Sequence, residues 1–343
     1  MSQTAPIPSN DHEDSQPTAA PDRLLPEAPP PRRRSRAVIA TAAAATLALV
    51  FGVAGGIAVG RTSGPAALTD AAAASLAATV YPTGCSTAEV DVTPGAPAPI
   101  EQPIGPTVVQ FPHDAEPARP HLQNLHSLVT ASPPDRPGCG RYVFVRLRQW
   151  AADTTVGPDG IGTTTTMRFE HYRWRADDRS GRVVTHRQAV PEPTITSEDF
   201  TTGELPGAIR APLSTDPAAL AGQINDVQPW RMGDQAGIRA TADIYGWHEP
   251  DRDQRAAILA VLYERNLRWR GDAVDRAGRP GVAVSVDSSN GATRDLLILD
   301  PATGRPLAYE LVFLRNPGSM RGPFPAVQDY VLYLHHNRQP NLT

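Results

Sequence analysis

Residues 281–315 read GVAVSVDSSNGATRDLLILDPATGRPLAYELVFLR, three apolar runs separated by two short turns. In Gly281–Asp287 the side chains of Val282, Val284 and Val286 fall on one side, and in Pro306–Arg315 Leu307, Tyr309, Leu311 and Phe313 share a face. That is the period-two pattern of half-buried strands. Ser288-Ser289-Asn290-Gly291 and Asp300-Pro301-Ala302-Thr303-Gly304 supply residues that accept tight turn geometry. Strands joined by such short loops pair with their neighbours in sequence, so the stretch predicts an antiparallel meander.

The pattern extends in both directions. Arg268–Val274 precedes it through the turn Asp275-Arg276-Ala277-Gly278, and Val327–His335 follows it as a fifth strand. A helix from Asp251 to Asn266 carries Ile258, Leu259, Val261, Leu262 and Tyr263 on a broad apolar side and is the nearest cover for the apolar face of the sheet. Asp216 reads as an N-cap with Pro217 at the first helical position and Leu220 and Ile224 inside. Further upstream, Arg141–Trp150, Thr164–Arg175 and Arg182–Val190 are strand-like, with Asp177-Asp178-Arg179-Ser180-Gly181 as the turn between the last two. His121–Thr130 places Leu122, Leu125, Leu128 and Val129 on one helical face. Pro191–Leu213 reads as loop. The fold class expected is therefore α+β.

The N-terminal third is built differently. Ala37–Gly60 contains no charged residue, and as a helix it reaches about 36 Å, enough to cross a hydrocarbon core of about 30 Å. Arg32, Arg33, Arg34 and Arg36 precede it, against Arg61 alone after it, so the positive-inside rule puts the N-terminus in the cytoplasm and the C-terminal domain outside the cell membrane. A cleaved signal peptide is disfavoured by an apolar run far longer than such peptides carry. Gly52, Gly56 and Gly60 recur at the spacing that lets two membrane helices approach, although a segment so rich in Ala and Gly produces that spacing by chance. The organisation expected is a Pro-rich disordered tail with a basic collar (1–36), a membrane helix (37–60), an Ala-rich stalk and Pro-rich linker (61–118) and an extracytoplasmic α+β domain (119–343). Of the 36 prolines 17 fall in residues 1–118, about a third of the chain, so proline is densest in the non-globular parts.

Composition excludes several functions. All 32 Lys+Arg residues are arginine, balanced by 36 acidic residues, so net charge offers no case for a nucleic-acid partner. Two cysteines exclude a disulfide-dense scaffold and a zinc ribbon. Both lie on the outer side, where disulfides persist; a Cys85–Cys139 bond would add about 4 kcal/mol in the chain-entropy reading, and two free thiols are the alternative. None of the nine histidines forms a metalloprotease pair with a glutamate, and His335 and His336, on one strand, point to opposite faces. Nucleophile-elbow and phosphate-loop spacings are absent, so no catalytic residue, metal or cofactor is expected, and the chain is not read as an enzyme. Arg141, Arg146, Arg148, Arg168, Arg173 and Arg175 are candidates for a basic stripe, and Trp150, Trp174, Trp230, Trp247 and Trp269 for a ligand groove, each set beside the plainer reading of a solvated sheet face and a filled core.

The order of these pieces resembles a family of actinobacterial single-pass membrane proteins of unknown function. The residues that carry it are Arg141–Arg146, Trp174 before Asp178–Arg182, Leu213–Leu220, Arg255–Tyr263, Gly278–Val284 and Leu299–Arg305. At fold level the architecture also resembles the lipoprotein-carrier and sigma-regulator sensor modules of the bacterial envelope. That resemblance implies a curved antiparallel sheet, a half-barrel, packed on helices, with an apolar concavity. Two functions follow as expectations: an extracytoplasmic binding or sensor module for a lipid or other hydrophobic ligand, or an envelope interaction module that takes a protein partner at a sheet edge or the Pro-rich arm.

Overall fold

The computed structural model describes residues 115–135, 138–158, 162–188, 193–207, 209–316 and 323–342. The basic collar Arg32, Arg33, Arg34 and Arg36, the expected membrane helix with Gly52, Gly56 and Gly60, and Cys85 lie outside the described residues. Among those described, no helix is long and apolar enough to cross a membrane.

Nine antiparallel strands form one curved, unclosed sheet in the order β4-β3-β2-β1-β9-β8-β7-β6-β5. The first meander comprises β1 (Tyr142–Val156), β2 (Gly162–Ala176), β3 (Gly181–Gln188) and β4 (Thr194–Phe200). The second comprises β5 (Arg268–Val274), β6 (Pro280–Asp287), β7 (Thr293–Leu299), β8 (Pro306–Phe313) and β9 (Ala326–Gln339). The two are joined by the pairing of β1 with β9, from Tyr142 opposite Gln339 to Ala151 opposite Asp329, with a bulge at Arg146/Leu147. The first and last strands of the domain therefore form the middle of the sheet.

Local sequence accounts for most elements. α2 (Pro217–Val227) is capped as expected, the Asp216 carboxylate accepting from the Ala219 N–H at 2.7 Å. α4 (Arg252–Tyr263) opens with a capping box between Asp251 and Gln254 and is shorter at its C-terminus than the apolar pattern suggested. In α1 (Arg119–Ala131) Leu122, Leu125 and Val129 are buried, whereas Leu128, expected on the same face, is exposed. The β7–β8 turn closes with a Gly304 N–H to Asp300 carbonyl bond at 2.8 Å. Gly304 has φ +68°, and a Cβ there would lie 2.9 Å from the Leu259 Cδ1, so both conformation and space demand glycine.

Two elements depart from expectation. The loop-like stretch after Pro191 contains β4, and an unexpected helix, α3 (Gln235–Trp247), lies directly against β1, β6, β7 and β8. Ten of its thirteen residues are buried. α4, expected to be the cover, packs instead on α1, α2 and α3. α3 carries a polar row, Gln235, Arg239 and Asp243 at four-residue spacing, but Gly237, Thr241 and Gly246 dilute the apolar signal of its other sides.

The main core lies on the helix side, where Val143, Val145 and Leu147 of β1 join Val284 and Val286 of β6, Leu297 and Leu299 of β7, and Ile238 and Ile244 of α3. The opposite face is buried too, around Trp150, Leu296, Ile298, Ala308 and Leu332. Curvature contributes to that burial. The tip of the β5–β6 hairpin folds over this face, where Arg279 donates to the Leu307 and Tyr333 carbonyls, both at 2.7 Å, and Arg276 bonds Glu310 at 2.7 Å while lying over the Tyr330 ring.

Candidate functional site

The helix-side face carries a row of buried polar side chains crossing four strands. Asp329 of β9 accepts from the Gln149 amide of β1 at 3.3 Å; the Gln149 carbonyl meets His171 Nε2 of β2 at 3.4 Å; His171 Nδ1 meets Thr185 Oγ1 of β3 at 3.0 Å. Burial pushes the Asp329 carboxyl up to about 7, against the opposing pull of the Gln149 hydrogen bond. Burial, aided by the charge of Arg173, holds the His171 imidazole down at about 3. Asp329 and His171 are 4% and 5% exposed, which leaves a solute no approach to them. The row is a satisfied internal network whose work is to fix register between strands.

The free sheet edge has the opposite character. β4 pairs with β3 on one side, from Thr194 opposite Arg187 to Phe200 opposite Gly181, and among the described residues its other side is unpaired. Thr194–Asp199 are exposed and Phe200 is half-buried; Ile195 is 56% exposed. The other edge, β5, is partly covered: the Trp269 N–H donates to the Glu116 carbonyl and the Ala118 N–H to the Leu267 carbonyl. β4 contains no proline or bulge, and of the usual protections of an open edge it carries only the acidic Glu198 and Asp199. Arg182 bonds Asp199 at 2.6 and 3.0 Å and holds that carboxyl below its ordinary range, which leaves Glu198 as the unneutralised charge on the strand.

A polar ribbon continues this edge. Among the described residues β9 pairs with β1 as far as Ala151 and β3 with β2 as far as Arg168, so Thr154–Val156 and Gly162–Thr164 continue as a two-stranded ribbon without a described strand beside them. Thr155 and Thr163–Thr166 are exposed, and Thr154 and Thr164 share a hydroxyl hydrogen bond at 2.9 Å. The ribbon leaves the sheet at the end where β4 begins, since Thr194 pairs with Arg187 and Arg187 with Phe169. Ribbon and edge together present backbone hydrogen-bonding groups and hydroxyls to solvent along two connected sides.

The other sequence candidates do not converge. The six arginines divide by face: Arg146 and Arg148 lie beside Glu170 on the face away from the helices, half-buried Arg168 stands opposite Trp150 on that same face, Arg141 pairs with Asp178, and Arg173 and Arg175 are buried on the helix side. Arg173 donates to the Gly246 carbonyl at 2.9 Å and lies 4.1 Å over the Trp247 ring, holding the C-terminal end of α3. Trp150 stacks on Tyr330 and Trp174 tilts against Phe144 on the opposite face, while Trp269 stacks on His121 and Trp230 faces Arg265, so the five indoles line no common groove. His336 reaches the Tyr245 carbonyl on the helix side and His335 faces Phe144 on the other, as the strand alternation required. Among the described residues no three His, Cys, Asp or Glu side chains come together as metal ligands. Cys139 stands just before β1, whereas its expected partner Cys85 is outside the described residues.

No protein-family model matches the chain, and no curated protein matches it. A solved structure described as a DUF1329 family protein from Desulfovibrio piger is similar at 9% identity, covering 66% of this chain and 94% of that one, with a TM-score of 0.20. Its family carries only a designation of unknown function, and a likeness at this score carries no argument about fold or activity.

Proposed function

We propose that this chain is a non-catalytic interaction module of the cell envelope, of the actinobacterial single-pass kind, held to the membrane by residues 37–60, and that its partner adds an extended segment to the β4 edge. The observation that carries this reading is the seven-residue β4, exposed from Thr194 to Asp199 and paired on one side only among the described residues. An added strand gains backbone hydrogen bonds there, and the threonine ribbon extends the contact surface. The hydrophobic-ligand reading draws less support, because α3 occupies the helix side of the sheet where an apolar concavity was expected. The test is photocrosslinking of the full chain in its own membrane, with a benzophenone side chain at Ser197 or, as control, at Asn290 in the β6–β7 turn. A discrete adduct at residue 197 that disappears with Thr196→Pro supports the proposal. No adduct, or the same adduct at both positions, overturns it.

A further inference from the structure

The two faces of β4 carry different chemistry at the open edge. Strand alternation puts Thr194, Thr196, Glu198 and Phe200 on the helix side of the sheet and Ile195, Ser197 and Asp199 on the other. On the helix side Glu198 stands opposite Val183 of β3, and the next residue of that row, Arg173, is buried against Gly246 and Trp247. Its own sheet therefore offers the Glu198 carboxylate no accessible counter-charge. At the other end of the strand Thr194 stands opposite Arg187, which is exposed and donates to the Met167 sulfur at 3.2 Å, a weak acceptor. One edge face thus presents a carboxylate at one end and a guanidinium at the other. On the opposite face Ile195 is one of the few large apolar side chains left exposed.

A strand that pairs with a second copy of itself across a two-fold axis runs antiparallel, about one residue that faces its own counterpart. The sequence of β4 discriminates between the choices of that residue. Centred on Glu198 or Asp199, the pairing sets like carboxylates face to face; centred on Thr194, Ile195 or Phe200, it overlaps only a few residues. Centred on Ser197, it puts Ile195 against Asp199 and Glu198 against Thr196, with no arginine of the other copy in line with Glu198. Centred on Thr196, it puts Glu198 of each copy opposite Thr194 of the other, and the next residue in that row is Arg187. Glu198 and Arg187 are then two strand spacings apart, about 10 Å between backbones, a gap their long side chains span over the short Thr194. On the other face Ile195 of each copy lies opposite Ser197, and the two isoleucines meet diagonally, about 7–8 Å apart, while Thr196 facing itself makes a cross-strand threonine pair.

We propose that the partner at the β4 edge is a second copy of this chain, paired antiparallel across a two-fold axis at Thr196, with Glu198 of each copy meeting Arg187 of the other. This deepens the edge reading above and rests on it. The contact is self-complementary, as an isologous interface requires, and it pairs the open edges of both copies at once. The overlap is short, so the dimer depends on the two chains meeting at high effective concentration, which the proposed anchoring in one membrane supplies.

The experiment expresses two full-length chains with different epitope tags together in their own membrane, each with a benzophenone side chain at Ser197, and reads the photocrosslinked adduct for both tags. A two-tag adduct is expected. Glu198→Arg on both chains, or Arg187→Glu on both, reduces it about tenfold, because each sets two like-charge pairs across the contact. Glu198→Arg on one chain with Arg187→Glu on the other restores it, since both cross-copy pairs again have opposite charge. Both residues are exposed, so the variants retain the fold. An adduct that joins a tagged chain to a different protein, with no two-tag product, overturns this proposal and leaves the edge reading standing; no adduct at all overturns both. A two-tag adduct that the single reversals leave unchanged, or that the mixed pair does not restore, also overturns it.

Discussion

Asp329 shows how strongly a single position responds to enclosure. Its carboxyl is held near 7 in the fold against an ordinary 3.8, so between those values the folded protein binds a proton that the unfolded chain does not. Stability contributed by this group is complete below pH 4, falls as pH rises to 7, and is flat above it. His171 acts in the opposite sense, being held near 3 against 6.5, so its contribution is complete above pH 6.5 and falls as the medium is acidified toward 3. Asp329→Asn removes only the first effect. The variant should match the wild type near pH 4 and exceed it above pH 7 by up to about 4 kcal/mol, from roughly three pKa units at about 1.4 kcal/mol each. Urea denaturation at pH 4.5 and 8 checks this, and an advantage independent of pH would contradict it.

At the scale of elements, α3 is fastened to the sheet by polar anchors in an otherwise apolar layer. Arg239 donates twice to Asp295 of β7, at 2.8 and 3.0 Å, while Gln235 and the Tyr309 hydroxyl donate to the same carboxylate at 3.1 and 2.7 Å. Asp295 is fully buried, so Asp295→Asn strands the Arg239 charge and should cost about 3–5 kcal/mol in thermal or chemical denaturation. The triple change Asp295→Leu, Arg239→Met and Tyr309→Phe removes the charge and its buried partners and leaves only the half-buried Gln235 amide, within 3.4 Å of the Thr293 hydroxyl, so it should recover most of that loss. β4 is tolerant by comparison. Ser197→Pro should lower stability by less than about 1 kcal/mol, whereas Val184→Pro, in β3 between two partners, should cost more than about 3 kcal/mol. Similar losses from both would mean that the β4 edge is covered.

Over the whole molecule, arrangement across the membrane is the property with the widest consequences. In the proposed topology a cysteine introduced at Ser9 of a variant lacking Cys85 and Cys139 is shielded from a membrane-impermeant maleimide in intact cells, while one introduced at Thr201 is labelled. Labelling of both, or of Ser9 alone, would reverse the orientation read from the arginine collar. The sheet also makes the domain interdependent. β1 and β9 lie in the middle, so each meander depends on the other for one edge and on α3 for the cover of its helix-side face.

Strand alternation and turn chemistry make the second meander legible in the amino-acid sequence, because both are local and each turn leaves its residues little conformational choice. The caps at Asp216 and Asp251 are legible for the same reason. α3 is hidden because Gly237 and Gly246, poor helix formers, and the β-branched Thr241 interrupt its pattern. β4 is hidden for another reason, since a strand that buries almost nothing has no apolar alternation. The class of fold, the order of most elements and the charge asymmetry about residues 37–60 follow from local pattern and composition. Long-range packing set which helix covers the sheet and which edge stays open among the described residues. Those outcomes depend on contacts between residues far apart along the chain, and local propensity carries no information about them.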